Sequence, residues 1–450
     1  MRLLATRLTA IASAVKRLFS PASLFRNSEQ GLWYDPSDLS TLFQDSAGTT
    51  PVTAVEQPVG KILDKSGRGN HATQATSASR PVLSARVNLL TKSEDFSDAV
   101  WAKFNTTITP NAEVGPDGTM TADKIVVSAS TDQTSVSQTP SGTVAASYTY
   151  REILKQGEKR YAGLVSYDGT SYFMASVFDL ETGTVSKTFA GSATCVKDAA
   201  TGWCTCTVNG SSVGALVSNF TGTRIYDTGT PAAISTACTG NGLDGLYAWG
   251  ASLVYANQSS LPYQRVNTAT DYDTVGFPHY LKFDGVDDSL ATASINFTST
   301  DKMTVFAGVR KLSDTATGAV VEFDITTNIG SFGLFAPYGA AANYSFRSQG
   351  TVQSVNTVAG FTSPITNVIT CLGDIAGDSN IFRANGVATA LGSDQGTGNF
   401  SNKILYIGRR AGTSVPFKGH IYSLIIRGAQ STDSQIVSAE SYVNSKTGAY

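Results

Sequence analysis

The feature that most limits how this chain can fold is its punctuation. From Gln30 onward apolar residues come in short runs, and Gly, Asn, Asp, Ser or Thr closes each run before it reaches helical length. Asp123–Val127 (DKIVV), Tyr161–Ser166 (YAGLVS), Tyr172–Phe178 (YFMASVF), Met303–Val309 (MTVFAGV), Val320–Phe323 (VVEF), Ile404–Ile407 (ILYI) and Ile421–Ile426 (IYSLII) are examples. Runs of this length, rich in β-branched and aromatic residues, read as strands. Between them sit Asp168-Gly169, Asn241-Gly242 and Asn385-Gly386, dipeptides that accept the positive φ of a tight hairpin. The pattern predicts an all-β chain of sandwich or barrel type. The exception is Ser431–Ser445 (STDSQIVSAESYVNS), a helix candidate that Ser431 or Thr432 could cap and whose Ile436, Val437 and Tyr442 could face the body.

The first 27 residues follow a different rule. MRLLATRLTAIASAVKRLFSPASLFRN holds five basic residues (Arg2, Arg7, Lys16, Arg17, Arg26) and no acid before Glu29. Leu4, Leu8, Ile11, Val15, Leu18 and Phe19 fall on one stripe of a short N-terminal α-helix that ends near Ser20-Pro21. Arg7 and Lys16-Arg17 confine the uncharged run to eight residues, short for a secretory leader and bounded by basic residues instead of a cleavage site. It is also too short to span a bilayer. The stripe is therefore expected to be an anchor docked in a groove of another protein, with a membrane-surface helix, a self-associating helix and a frayed tail as the alternatives.

Composition narrows function more than fold. Charged residues make up 15% of the 450, and Lys+Arg 33 against Asp+Glu 35 leaves a net charge of -2. Such a chain has no basic field to hold nucleic acid. The five cysteines, Cys195, Cys204, Cys206, Cys238 and Cys371, lack the CxxC spacing of a zinc site, and an odd count closes no disulfide framework. They read as free thiols, with a bridge from Cys204 or Cys206 to Cys195 or Cys238 as the alternative. The three histidines, His71, His279 and His420, lie far apart in sequence. GxSxG, HExxH and P-loop motifs are absent, as is GxGxxG in its strand-to-helix setting, so the chain is not expected to be an enzyme.

Longer motifs carry a resemblance. GLWYDPSDLS from Gly31, DKSGRGNHATQ from Asp64, SRPVL ending at Leu83, and YLKFDGVDDSL from Tyr280 together resemble a concanavalin A-like (laminin-G-like) lectin sandwich of bacteriophage virion proteins. In that family the motifs follow one another closely, whereas here 196 residues separate Leu83 from Tyr280. The interval opens with NLLTKSEDFSDAVWAK (Asn88–Lys103), carries YTYREILKQGEKRY (Tyr148–Tyr161) and closes with YAWGASLVYANQSSLPYQRV (Tyr247–Val266). It is similar to a second phage module, a jelly-roll of the carbohydrate-binding kind. Beside the helical anchor that the residue pattern gives over 1–27, the resemblance implies a discontinuous sandwich over 28–84 and 274–450 and a jelly-roll over 85–273 inserted into it. It implies a virion structural protein assembled in the host cytoplasm, a fibre, spike or decoration component. Other virion proteins would be its partners through the N-terminal helix, in a homo-oligomer for which a trimer is one option, and host-surface glycans would be its ligands. A purely architectural virion protein is the alternative. A glycan-degrading tailspike ranks last, because no convincing carboxylate pair and no β-helix period are present.

Three groups of residues are candidate sites. Asp284, Asp287 and Asp288 suit either a tight turn, with Gly285 at positive φ, or hard oxygen coordination of Ca²⁺, the one cofactor the chain suggests. Asp64, Asn70 and His71 read as a turn rich in side-chain-to-backbone bonds, from which a metal shared with the Asp284–Asp288 turn would need converging oxygens. Among the four tryptophans, Trp33 and Trp249 lie in apolar runs and are expected in the core. Trp101 and Trp203 are flanked by turns and are the candidate stacking faces for a sugar. Arg409-Arg410 reads as a solvated hairpin end.

Overall fold

The computed structural model describes residues 19–140, 142–216, 221–325 and 328–450. The fold is all-β. Among the described residues, α-helix is confined to Asp433–Thr447, and no helix is long and apolar enough to cross a membrane. Every run named above as a strand lies in one, and Asn385-Gly386 turns a hairpin with φ of 49° and 80°.

Two compact units divide the chain. The first comprises the described chain up to Ser84 together with Pro278–Tyr450; the second is Ala85–Phe277.

In the first unit an eight-stranded and a nine-stranded sheet enclose one core. Lys302–Lys311 lies at the centre of the eight-stranded sheet, between Ile365–Asp374 and Lys418–Arg427. Side chains alternate across it, so Met303, Val305, Ala307 and Val309 point inward to meet Val321, Phe323, Leu334 and Phe346 of the nine-stranded sheet. Each of these side chains but the smaller Ala307 contributes about 1.5–3 kcal/mol when taken out of water, before the entropy of ordering it. Gly31–Tyr34 pairs with the far end of Lys418–Arg427. A Cβ at Gly31 would stand 1.9 Å from the Ile426 carbonyl oxygen, so the close approach requires glycine.

The opposite face of the eight-stranded sheet carries the C-terminal helix. Thr432 caps it through a capping box with Gln435, and Gly448 ends it at φ 58°. Ile436, Ala439 and Val443 pack on Phe306, Val368, Leu372 and Ile425. Val437 is 63% exposed, contrary to the sequence expectation, because it sits about a third of a turn from the centre of the stripe that Ile436, Ala439 and Val443 define. Glu440 takes a buried place on that stripe because Arg383 Nε and Nη2 both donate to its carboxylate.

Leu4, Leu8, Ile11, Val15 and Leu18 lie outside the described residues. Phe19 is described, and it rests against Tyr442 with ring centroids 6.5 Å apart. Pro21–Phe25 is a single 3-10 turn whose Leu24 and Phe25 are buried in the same apolar layer. Within the segment expected as the anchor, Phe19, Leu24 and Phe25 therefore pack on the body, covering the layer beside the helix, while residues 26–28 are exposed.

The second unit has two six-stranded antiparallel sheets and a small two-stranded ribbon. Tyr148, Tyr150 and Leu154 from one sheet meet Leu164, Met174 and Phe178 from the other. Its ends are tied together. Tyr272 Oη accepts from the Ala85 N–H, and Gln264 Nε2 donates to the carbonyls of both Ala85 and Asp273. The unit runs on to Phe277, past Asp273, where a turn closes from Phe277 N–H to the Thr274 carbonyl.

Candidate functional site

The sequence motifs build structure first. In the Asp64–Gln74 turn, Asp64 accepts from the N–H groups of Trp33, Ser66 and Asn70, and His71 Nδ1 accepts from the Asp64 N–H. Asn70 Nδ2 donates to the Gly31 carbonyl, so the turn fastens the first strand to the body. In the second unit Asn88 plays the same part. Its amide donates to the carbonyls of Ala251 and Gln264 and accepts from the N–H groups of Leu90 and Leu253. These residues are spent on backbone partners.

The Asp284–Asp288 turn joins Tyr280–Asp284 to Leu290–Asn296. Asp284 Oδ1 accepts from the N–H groups of Val286 and Asp287, and Asp288 Oδ2 accepts from the Asp284 N–H. Asp287 Oδ2 accepts from Ser79 Oγ, and Gly285 has φ 79°. The three carboxylates present ligand atoms within 4.8 Å of one another, and among the described residues nothing from Asp64–His71 joins them. Three chain oxygens are a minority of the roughly six to eight that Ca²⁺ takes. The hydrogen bonds account for the cluster as a turn. Burial, followed by repulsion from Asp284 and Asp287, pushes the Asp288 carboxyl up to about 7.

Both candidate sugar-stacking faces are corrected. Trp101 is 1% exposed, packs on Phe96 at 4.8 Å between ring centroids, and donates Nε1–H to the Lys92 carbonyl. Trp203 is 4% exposed, packs with Trp249 and Ala122, and donates to the Val114 carbonyl. In each case a loop folds back over the indole and supplies the acceptor its N–H needs. Trp33 and Trp249 are buried as expected. Arg410 is no solvated hairpin end: its Nε donates to buried Glu322, which also accepts from Arg347. All five cysteines are free thiols.

What the motifs did not reveal is a cleft beside the acidic turn, about 310 Å³ in volume. Asp284 and Val286 form one wall, Ser313, Thr315 and Thr317 another, and Pro337, Pro416 and Lys418 complete it. Backbone bonds hold the walls: Leu312 N–H to the Lys418 carbonyl, Gly318 N–H to the Pro337 carbonyl, and Ala319 N–H to the Val415 carbonyl. Thr317 Oγ1 accepts from the Gly339 N–H. Val286 is 66% exposed at the mouth. The lining combines hydroxyls, one carboxylate and one ammonium with the C–H surfaces of two prolines and a valine. Such a surface offers hydrogen-bond donors and acceptors beside apolar C–H faces. Ser, Thr and Pro are ordinary loop residues, and only strand pairing brings these four segments together.

No family model and no curated protein matches the chain. Similar solved structures include the receptor binding domain of botulinum neurotoxin mosaic serotype C/D, at 13% identity and TM-score 0.30, covering 36% of this chain and 42% of that one. They include the Ruminococcus gnavus IT-sialidase CBM40 bound to alpha2,3 sialyllactose, at 19% identity and TM-score 0.26, covering 31% of this chain and 82% of that one. The K499G mutant of NanB sialidase from Streptococcus pneumoniae matches at 12% identity and TM-score 0.27, covering 35% and 26%. The match spans less than half the length of the toxin domain. Likeness of this degree transfers no function.

Proposed function

We propose that this protein is a non-catalytic attachment component of a phage particle, which joins other virion proteins through its N-terminal segment and contacts host-surface glycans through the cleft beside the Asp284–Asp288 turn. The observation that carries the glycan reading is the cleft itself, where hydroxyls, Asp284 and Lys418 converge on about 310 Å³ next to exposed C–H surface. Polar groups placed to bind, with no nucleophile paired to a base among them, suit recognition more than turnover. The virion assignment rests on the sequence motifs.

A glycan array probed with the full chain tests the reading, followed by the same array with Lys418→Ala and with Thr315→Arg. Both side chains are exposed on the lining, so both variants should fold. Selective binding by the wild type, weakened about tenfold or more in each variant, is expected; tenfold corresponds to about 1.4 kcal/mol. Absence of binding to the array and to whole bacterial cells, or variants that bind as well as the wild type, would favour a purely architectural role.

A further inference from the structure

One feature of the second unit lies apart from glycan binding. Ser192–Lys197 is the edge strand of its sheet and pairs antiparallel with Cys204–Ser211. In that register Cys195 stands directly opposite Cys206, and their Sγ atoms are 3.9 Å apart. Cys206 is fully buried and Cys195 half-buried, so a small reagent reaches the pair from the edge-strand side. Cys204 faces the same core and also bears on Cys195, but its register partner is Lys197 and its thiol donates to the Leu180 carbonyl at 3.5 Å.

Directly opposed residues of an antiparallel pair have Cα atoms roughly 4.5 or 5.5 Å apart, within the 4.4–6.8 Å that a disulfide accepts. The backbone is thus already in place, and only side-chain rotation must bring the sulfurs from 3.9 Å to about 2.05 Å. We propose that Cys195 and Cys206 form an oxidation site, closed by a low-molecular-weight disulfide, that staples the edge strand to its neighbour. The step balances by exchange. A thiolate of the pair attacks the reagent's S–S bond and expels one reagent thiol; the second cysteine attacks the mixed disulfide and expels the other. The two cysteines are oxidised, the reagent is reduced, and the two S–H protons end on its thiols.

Contact with Cys204 lowers the Cys195 thiol pKa, but contact with Cys206 and burial outweigh it and push the thiol up to about 12; burial raises Cys206 as well. Closure is therefore slow at neutral pH and faster in base, because the thiolate is the attacking form. The pair would stay open during assembly in a reducing cytoplasm and close on exposure to an oxidising medium.

The test is incubation of the full chain with oxidised glutathione at pH 7 and pH 9, alkylation of remaining thiols, and peptide mass spectrometry. Free thiols should fall from five to three, faster at pH 9, with Cys195 linked to Cys206. The thermal midpoint of the second unit should rise by roughly 5 °C and return on reduction. Cys195→Ser should abolish both changes. Five persistent free thiols, linkage through Cys204 or Cys238, or a glutathione adduct as the only product would overturn the proposal.

Discussion

At the scale of single residues, the most consequential group outside the cleft is Glu152. It is fully buried between the sheets of the second unit, where Oε2 accepts from Thr223 Oγ1 at 2.6 Å and from the Tyr150 hydroxyl, while Oε1 has no partner. Burial pushes its carboxyl up to about 7, with the two hydroxyls pulling the other way. The folded state therefore holds a proton that the unfolded chain releases near 4.5. Stability is highest below that value, falls as pH rises through about 7, and then levels off. Glu152→Gln is expected to stabilise the unit by about 2–3 kcal/mol at pH 8.5 and by little at pH 4.5, as read from urea midpoints. An equal gain at both pH values would point to packing instead. The sequence was informative where a side chain serves its own turn, as Asp64 and Asp284 do, because those bonds are local. It misled at Trp101, Trp203 and Arg410, whose partners the local pattern does not record: Lys92, nine residues back, supplies a carbonyl to the Trp101 indole, while distant Val114 and Glu322 supply the acceptors for Trp203 and Arg410. Exposure is decided by what folds back over a residue, and turn-flanking composition does not record that.

Among elements, strands were the most readable; Asp168-Gly169 and Asn385-Gly386 turn hairpins, while Asn241-Gly242 lies between strands that pair elsewhere, because a dipeptide signal is short-range and does not fix strand partners. The C-terminal helix was readable in extent and cap but not in its buried face, because STDSQIVSAESYVNS offers small residues on every side and Ala439 and Glu440 won places that apolarity alone would give Val437. The N-terminal region shows the same effect. Basic and apolar residues suggested a continuous anchor, yet Leu24 and Phe25 are claimed by the layer beneath the helix. This separates two truncations. Removing residues 1–27 strips Leu24 and Phe25 and should cost about 3–5 kcal/mol, whereas removing 1–18 leaves that packing in place. Only the shorter deletion therefore tests anchoring cleanly. Loss of particle incorporation is expected, and normal incorporation would remove the anchor from the proposal.

For the whole molecule, the central question is whether Ala85–Phe277 is autonomous. It has its own core of Tyr148, Leu164, Phe178 and Leu253. Residues 85–277 expressed alone are expected to unfold in one cooperative transition with the same urea midpoint as in the full chain. A chain that stays unfolded would show the unit depends on its host. Tyr272 and Gln264 bear on more than folding. Because they bind Ala85 to the segment that runs through Tyr272 and Asp273, entry and exit of the module are fastened to each other by its own residues. Recombination cutting near Ser84 and Phe277 would transfer the module whole, with its closure included, and leave the recipient only a short gap to rejoin. A gene built this way can exchange its interior while its exterior descends unchanged, so the two parts of the protein need not share an ancestry.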